Sequence, residues 1–209
     1  MNMTFQGSKD YVASEELMRS VNIAIALEKP LLIKGEPGTG KTMLAEAISQ
    51  ALGKKLVIWN IKSTTKAQDG LYVYDVVQRL YDSQFGNEGV DDIGKYVKLG
   101  KLGEAFNSDE QVILLIDEID KADEEFEAFL LELLSEMQVT IPEVGTIRAK
   151  SIPFVVLTSN RARPLSEALR RRCAYLYIQY PDMQKELAII RAKLPHVDDR
   201  LSAQIALAT

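Results

Sequence analysis

The stretch GEPGTGKT at residues 35–42 constrains this chain more than any other, because such a loop functions only between a strand and a helix. The apolar run Leu31-Leu32-Ile33 precedes it and the helix-like MLAEAISQALG follows, so both conditions are met. Its spacing is G-x-x-x-x-G-K-[ST]. Gly35, Gly38 and Gly40 let the backbone curl until successive N–H groups converge, and the start of the helix adds its positive end to the same hollow. Gly35, Glu36, Pro37, Gly38, Thr39, Gly40, Lys41 and Thr42, with Met43 next in the helix, are therefore the expected phosphate cradle. Lys41 is expected to bridge the β- and γ-phosphates of a nucleotide, and the Thr42 hydroxyl to ligate Mg²⁺.

Four more apolar runs follow: LVIWNI from 56, VILLID from 112, FVVLTS from 154 and AYLYIQY from 174, with helically spaced segments between them. They are apolar nearly throughout instead of alternating, which is how strands buried on both faces read. The expected fold is α/β, a parallel sheet flanked by helices. After the third run, Phe126, Phe129, Leu130, Leu133, Leu134 and Met137 share one helical face. Asp182 is placed to cap a helix through about Lys193; LPHVDD then breaks the chain, and another helix is expected from near Arg200. Residues 1–181 thus read as the core domain, and 182–209 as the beginning of a helical lid that the chain does not finish.

The chain's 209 residues, 46% apolar, suffice for one sizeable core. Its net charge of −5 argues against broad capture of nucleic acid. No apolar run nears the roughly 18 residues of a membrane span, and no signal peptide pattern opens the chain, so a cytoplasmic location is expected. Cys173 is the single cysteine and His196 the single histidine, which leaves neither an internal disulfide nor a zinc cluster.

VILLIDEID delivers Asp117 and Glu118 at the carboxyl end of a buried strand, where open α/β sheets gather their ligands. Two adjacent carboxylates there are costly unless a cation offsets them. Asp117 suits Mg²⁺, and Glu118 suits the base that polarises an attacking water; Asp120 and Asp123 are available to cap the next helix. Asn160, closing LTSN, is placed to orient that water and touch the γ-phosphate, and Asn60, closing LVIWN, is a fourth polar strand end. ALRRRC at 168–173 is the one dense basic run, and its three arginines cannot all be buried. Arg170, Arg171 and Arg172 are each open to the role of an arginine finger reaching a neighbouring subunit.

GEPGTGKT, LLIDEID, LTSN and ALRRRC, in this order and spacing, resemble the AAA+ ATPases, and most closely the MoxR-like group, from about Tyr11 to Tyr180. The resemblance implies a five-stranded sheet of order 5-1-4-3-2, a C-terminal helical lid and a hexameric ring of like subunits with ATP and Mg²⁺ between them. It makes Lys41 and Thr42 the phosphate and magnesium residues, Asp117 and Glu118 the second acidic motif, Asn160 the first sensor and Arg172 the residue most similar to the finger. Cys173 stands where many relatives have phenylalanine after that arginine. Tyr11 and Val12 sit where relatives touch adenine, and Asn60 where relatives restrain the catalytic glutamate. The second sensor arginine usual in the lid is not found. Residues 64–92, with Tyr72, Tyr74, Tyr81 and Phe85, resemble an insertion that faces the ring's pore, and VTIPEVGTIRAK, with Pro142 and Gly145, a hairpin doing the same. The implied activity is ATP-driven remodelling of a protein partner, often one with a von Willebrand factor A domain. An ATP-gated binding switch and a DNA-directed AAA+ protein are the alternatives, and the choice between ATP and GTP stays open.

Overall fold

The computed structural model describes residues 4–8, 11–85, 93–141, 145–160 and 162–193. Along the chain these are α1 (Glu15–Ala26), β1 (Leu31–Gly35), α2 (Lys41–Leu52), β2 (Leu56–Asn60), α3 (Ala67–Leu71), β3 (Tyr72–Tyr74), α4 (Val76–Gln84), β4 (Val97–Leu99), α5 (Lys101–Phe106) and β5 (Ile113–Asp117). There follow α6 (Glu124–Glu136), β6 (Gln138–Ile141), β7 (Gly145–Arg148), β8 (Phe154–Ser159), α7 (Glu167–Arg172), β9 (Ala174–Ile178) and α8 (Met183–Lys193).

The five apolar runs are the five strands of one parallel sheet, ordered β2-β5-β8-β1-β9. Numbered among themselves, these strands read 5-1-4-3-2 from the β9 edge, the order the resemblance implies. Because side chains alternate across a strand, each run feeds two cores. Leu31, Ile33, Ile113, Leu115 and Val156 pack with Val21, Leu44 and Ile48 of α1 and α2. Leu32, Leu114, Ile116 and Leu157 pack with Phe106, Phe126 and Leu130 of α5 and α6. β8 is buried at all its positions, which is why its run shows no polar face.

Capping places the helices that flank the site. Asp123 accepts the Phe126 amide at 2.8 Å and starts α6, which stops where Met137 turns left-handed at φ 48°. Phe126, Leu130, Leu133 and Leu134 are buried as the spacing predicts, with Phe129 and Met137 partly buried on the same core. Asp182 accepts the Lys185 amide at 2.8 Å and starts α8; the second helix expected near Arg200 lies outside the described residues.

The segment from residue 64 folds as α3, β3 and α4, and β3 pairs antiparallel with β4. Its aromatics divide: Tyr72 is buried in the core beside Trp59, whereas Tyr81 and Phe85 are exposed and lie 4.4 Å apart between ring centres. α5 approaches α3 through glycine; a Cβ on Gly103 would lie 2.4 Å from the Leu71 carbonyl oxygen. Gly103→Ala is expected to cost about 1–3 kcal/mol of stability, read as a fall in the denaturant midpoint. β6 and β7 form the expected hairpin, with Gly145 at φ 96°; Pro142 lies outside the described residues. No helix of the described residues is long and apolar enough to cross a membrane.

Candidate active site

The loop between β1 and α2 curls as its glycines predict: Gly38 and Gly40 both sit at φ 82°, a region that costs any other residue. Gly35 is needed for a different reason, since a Cβ there would lie 2.4 Å from the Ile178 carbonyl oxygen on β9. Lys41, 6% exposed, folds back to donate to the carbonyls of Gly35 at 2.9 Å and Glu36 at 2.6 Å. Burial pushes its ammonium below the usual range, against Asp117, Asp120, Glu36 and Glu118, which raise it. A buried cation held, among the described residues, by carbonyls and a hydroxyl is ready to exchange them for an anion.

β5 delivers its two carboxylates in different directions. The Thr42 hydroxyl donates toward Asp117, 3.2 and 3.3 Å from its two oxygens, and the Thr158 hydroxyl donates to Asp117 from the neighbouring β8. Thr158 also accepts the Glu118 amide at 2.9 Å. Glu118 then turns left-handed at φ 60°, a strained conformation for a residue with a Cβ, and leaves the strand. Its Oε1 accepts from the Asn160 amide at 2.9 Å and its Oε2 from the Lys121 ammonium at 2.5 Å. The Glu118 carboxylate holds the Lys121 ammonium above its ordinary range. Lys41, Thr42, Asp117, Glu118 and Asn160 line one hollow of about 340 Å³ with Pro37 and Gly38.

A hollow of about 120 Å³ adjoins it and is walled by Tyr11, Val12, Gly40, Met43, Pro181 and Ile189. The Tyr11 hydroxyl is pushed up to about 12 by burial. Two roomier hollows lie elsewhere. One of about 490 Å³ opens at the amino ends of the strands beside Pro30 and Phe154, and one of about 680 Å³ flanks the outer edge of β9. The first is at the opposite end of the sheet from the carboxyl ends where sheets of this kind bind, and the second contains none of the phosphate-loop or acidic residues.

Lys41, Thr42, Asp117, Glu118 and Asn160 come together at the sheet's carboxyl edge, whereas Asn60 and the three arginines of α7 lie outside the cluster. Asn60 is level with Asp117 in the β2–β5 register but exposed, and makes no hydrogen bond to Glu118. Arg172 ends α7 on the surface, donating to the Leu131 carbonyl and the Ser135 hydroxyl; Arg171 pairs with Glu167, and Arg170 has no hydrogen bond or ion pair among the described residues. Sequence reasoning missed Thr158, though a hydroxyl at a strand end two residues before Asn160 is a readable signal. It also left Asp120 as a helix cap. Asp120 is 3% exposed and instead accepts the amides of Asn160 at 3.1 Å and Ala162 at 2.7 Å, joining the ends of β5 and β8.

Residues 30–173 match the family described as AAA domain (dynein-related subfamily). This chain belongs to that family of AAA+ ATPases. The match spans the strand before the cradle to the end of α7, so it takes in every polar group of the 340 Å³ hollow. The chain is 31% identical to the Bacillus subtilis protein YojN over 189 residues, 87% of this chain and 57% of YojN. It is 38% identical to midasin of Giardia intestinalis over 80 residues, 35% of this chain and 2% of midasin. In architecture it is similar to RuvB of Thermotoga maritima, solved as a Holliday junction branch migration motor, with TM-score 0.62 and 18% identity over 99% of this chain and 60% of RuvB. The chain spans less than two thirds of each of these proteins.

Cys173, directly after the arginines, is half-buried in the AAA domain, and burial pushes its thiol up to about 12. The thiolate is the reactive form, so alkylation at pH 8 is expected to run about 10³-fold slower than in the unfolded chain. Equal rates in native and denatured protein would show that the α7 end opens freely.

Proposed function

We propose that this AAA domain is the catalytic core of a cytoplasmic, Mg²⁺-dependent ATPase that assembles into a ring, hexameric as in the MoxR-like group, and uses hydrolysis to remodel a protein partner. The observation that carries the reading is the division of labour at the end of β5, with Asp117 joined to Thr42 and Glu118 joined to Asn160. One carboxylate faces the cradle and the other is held on a polar arm beside it.

In this reading the amides of Gly38 to Thr42 receive the phosphates and Lys41 exchanges its carbonyl partners for the β- and γ-oxygens. The Thr42 hydroxyl and the Asp117 carboxylate are hard oxygen donors, suited to a magnesium ion shared with phosphates. Among the described residues no group of three carboxylates or other ligands forms a metal cage, which fits a cation that arrives with the nucleotide. When bound, Mg²⁺ draws charge from the phosphate oxygens. Glu118 accepts the proton of the attacking water, Asn160 fixes the carboxylate and the water, and Lys121 holds the second carboxylate oxygen in place. Tyr11 and Val12 give the base an apolar wall, as the 120 Å³ hollow supports. Arg172 of one subunit completes the site of the next.

The remodelling role rests on the MoxR-like resemblance and on α4, whose Val76, Val77, Leu80 and Tyr81 are all exposed. A partner carrying a von Willebrand factor A domain is the first to test, and α8 is read as the start of the lid. The decisive experiment follows ATP turnover per subunit against protein concentration, together with the mass in solution with and without Mg²⁺-ATP. A steep rise as the ring forms is expected. Flat turnover by a monomer would overturn the shared site, and binding without turnover would make the protein a nucleotide-gated switch.

A further inference from the structure

Glu127 lies 3% exposed inside α6, a place where a carboxylate needs strong partners. It has two. Its Oε1 meets the Arg163 guanidinium at 2.5 Å, and its Oε2 accepts the Ser166 amide at 2.8 Å. Ser166 is the residue whose side chain caps α7, so Glu127 holds the start of the helix that ends in the three arginines. Arg163 in turn donates to the carbonyls of Ala122 at 2.7 Å and Asp123 at 3.2 Å, in the turn that leads from Glu118 into α6.

The other end of α7 is held by the same helix. Arg172 donates to the Leu131 carbonyl and the Ser135 hydroxyl. Glu127, Leu131 and Ser135 recur every four residues, so they form one stripe of α6 about 12 Å long, and α7 from Ser166 to Arg172 spans about 9 Å beside it. The stripe is a splint for α7. Its first residues follow directly from the turn that carries Glu118, and Asp120 ties that turn to Asn160.

We propose that Glu127 and Arg163 are positioning residues that set where the arginine of α7 is presented to the adjoining subunit, through α6, in register with the turn that carries Glu118. This rests on the shared-site reading above. Neither residue lines the 340 Å³ hollow, so neither touches the nucleotide in its own subunit. The guanidinium fork makes several bonds at fixed angles that an ammonium cannot reproduce, although both carry the charge.

Arg163→Lys and Glu127→Gln test this. Each variant protein is expected to bind Mg²⁺-ATP with unchanged affinity and to assemble, yet to lose turnover on the order of 10²-fold, the scale of an ångström-sized misplacement. Adding Glu118→Gln subunits, inactive by themselves, is expected to restore turnover, because they present an intact Arg172 to the variant's intact Glu118. The matching mixture of Arg172→Ala with Glu118→Gln is the control. If the control recovers and the Arg163→Lys and Glu127→Gln mixtures do not, their defect lies in their own subunit's site and the positioning role is wrong. If turnover is unchanged in both single variants it is equally wrong. If the control itself fails to recover, the shared site fails, and this inference with it.

Discussion

Glu118→Gln is expected to lower ATP turnover by about 10²–10⁴-fold, the usual scale of a general base, while nucleotide affinity stays unchanged. Glutamine keeps the shape of the side chain and can still meet Asn160, but it cannot take a proton from water. The left-handed backbone at residue 118 is retained because the side chain still branches only beyond Cβ. Loss of turnover therefore reports the carboxylate's chemistry and not a rearranged turn. The check is a single-turnover assay beside a binding titration with a fluorescent ATP analogue. Unchanged turnover would remove Glu118 from the chemistry and leave its bonds to Asn160 and Lys121 as structure alone.

Arg172→Ala is expected to cost on the order of 10³–10⁵-fold in turnover, as for arginine fingers supplied by a partner. The loss should appear only where a ring can form, and nucleotide binding by the single subunit should persist. Arg170→Ala, which removes an exposed side chain with no partner among the described residues, should cost far less. Mixed rings decide the matter: Arg172→Ala and Glu118→Gln subunits, each inactive alone, recover activity together at interfaces that join the intact halves. A full loss on Arg170→Ala instead would move the finger two residues back along α7.

Much of the core was legible because it depends on local rules. A strand buried on both faces must be apolar at successive positions, so β1, β5 and β8 announce themselves, and the edge strands β2 and β9 stay apolar although one face of each is only partly covered. The cradle is legible because its glycines answer to backbone geometry within eight residues. The ribbon of β3 and β4 was not, since three-residue strands carry no period and pair across more than twenty residues of chain. Tyr72 and Tyr81 show the same limit: both are aromatic in one segment, yet one fills the core beside Trp59 and the other faces solvent.

The sequence by itself determined the kind of fold, the phosphate loop and the acidic pair, because each is written in contiguous residues. The tertiary structure alone decided which hydroxyls and amides those carboxylates meet. Thr158 and Asn160 lie about forty residues from Asp117 and Glu118 and reach them only because β5 and β8 are neighbours in the sheet. Asp120, Glu127 and Arg163 are the same case. A buried charge is stable only with partners close by, and partners distant along the chain become close only when the fold brings them there.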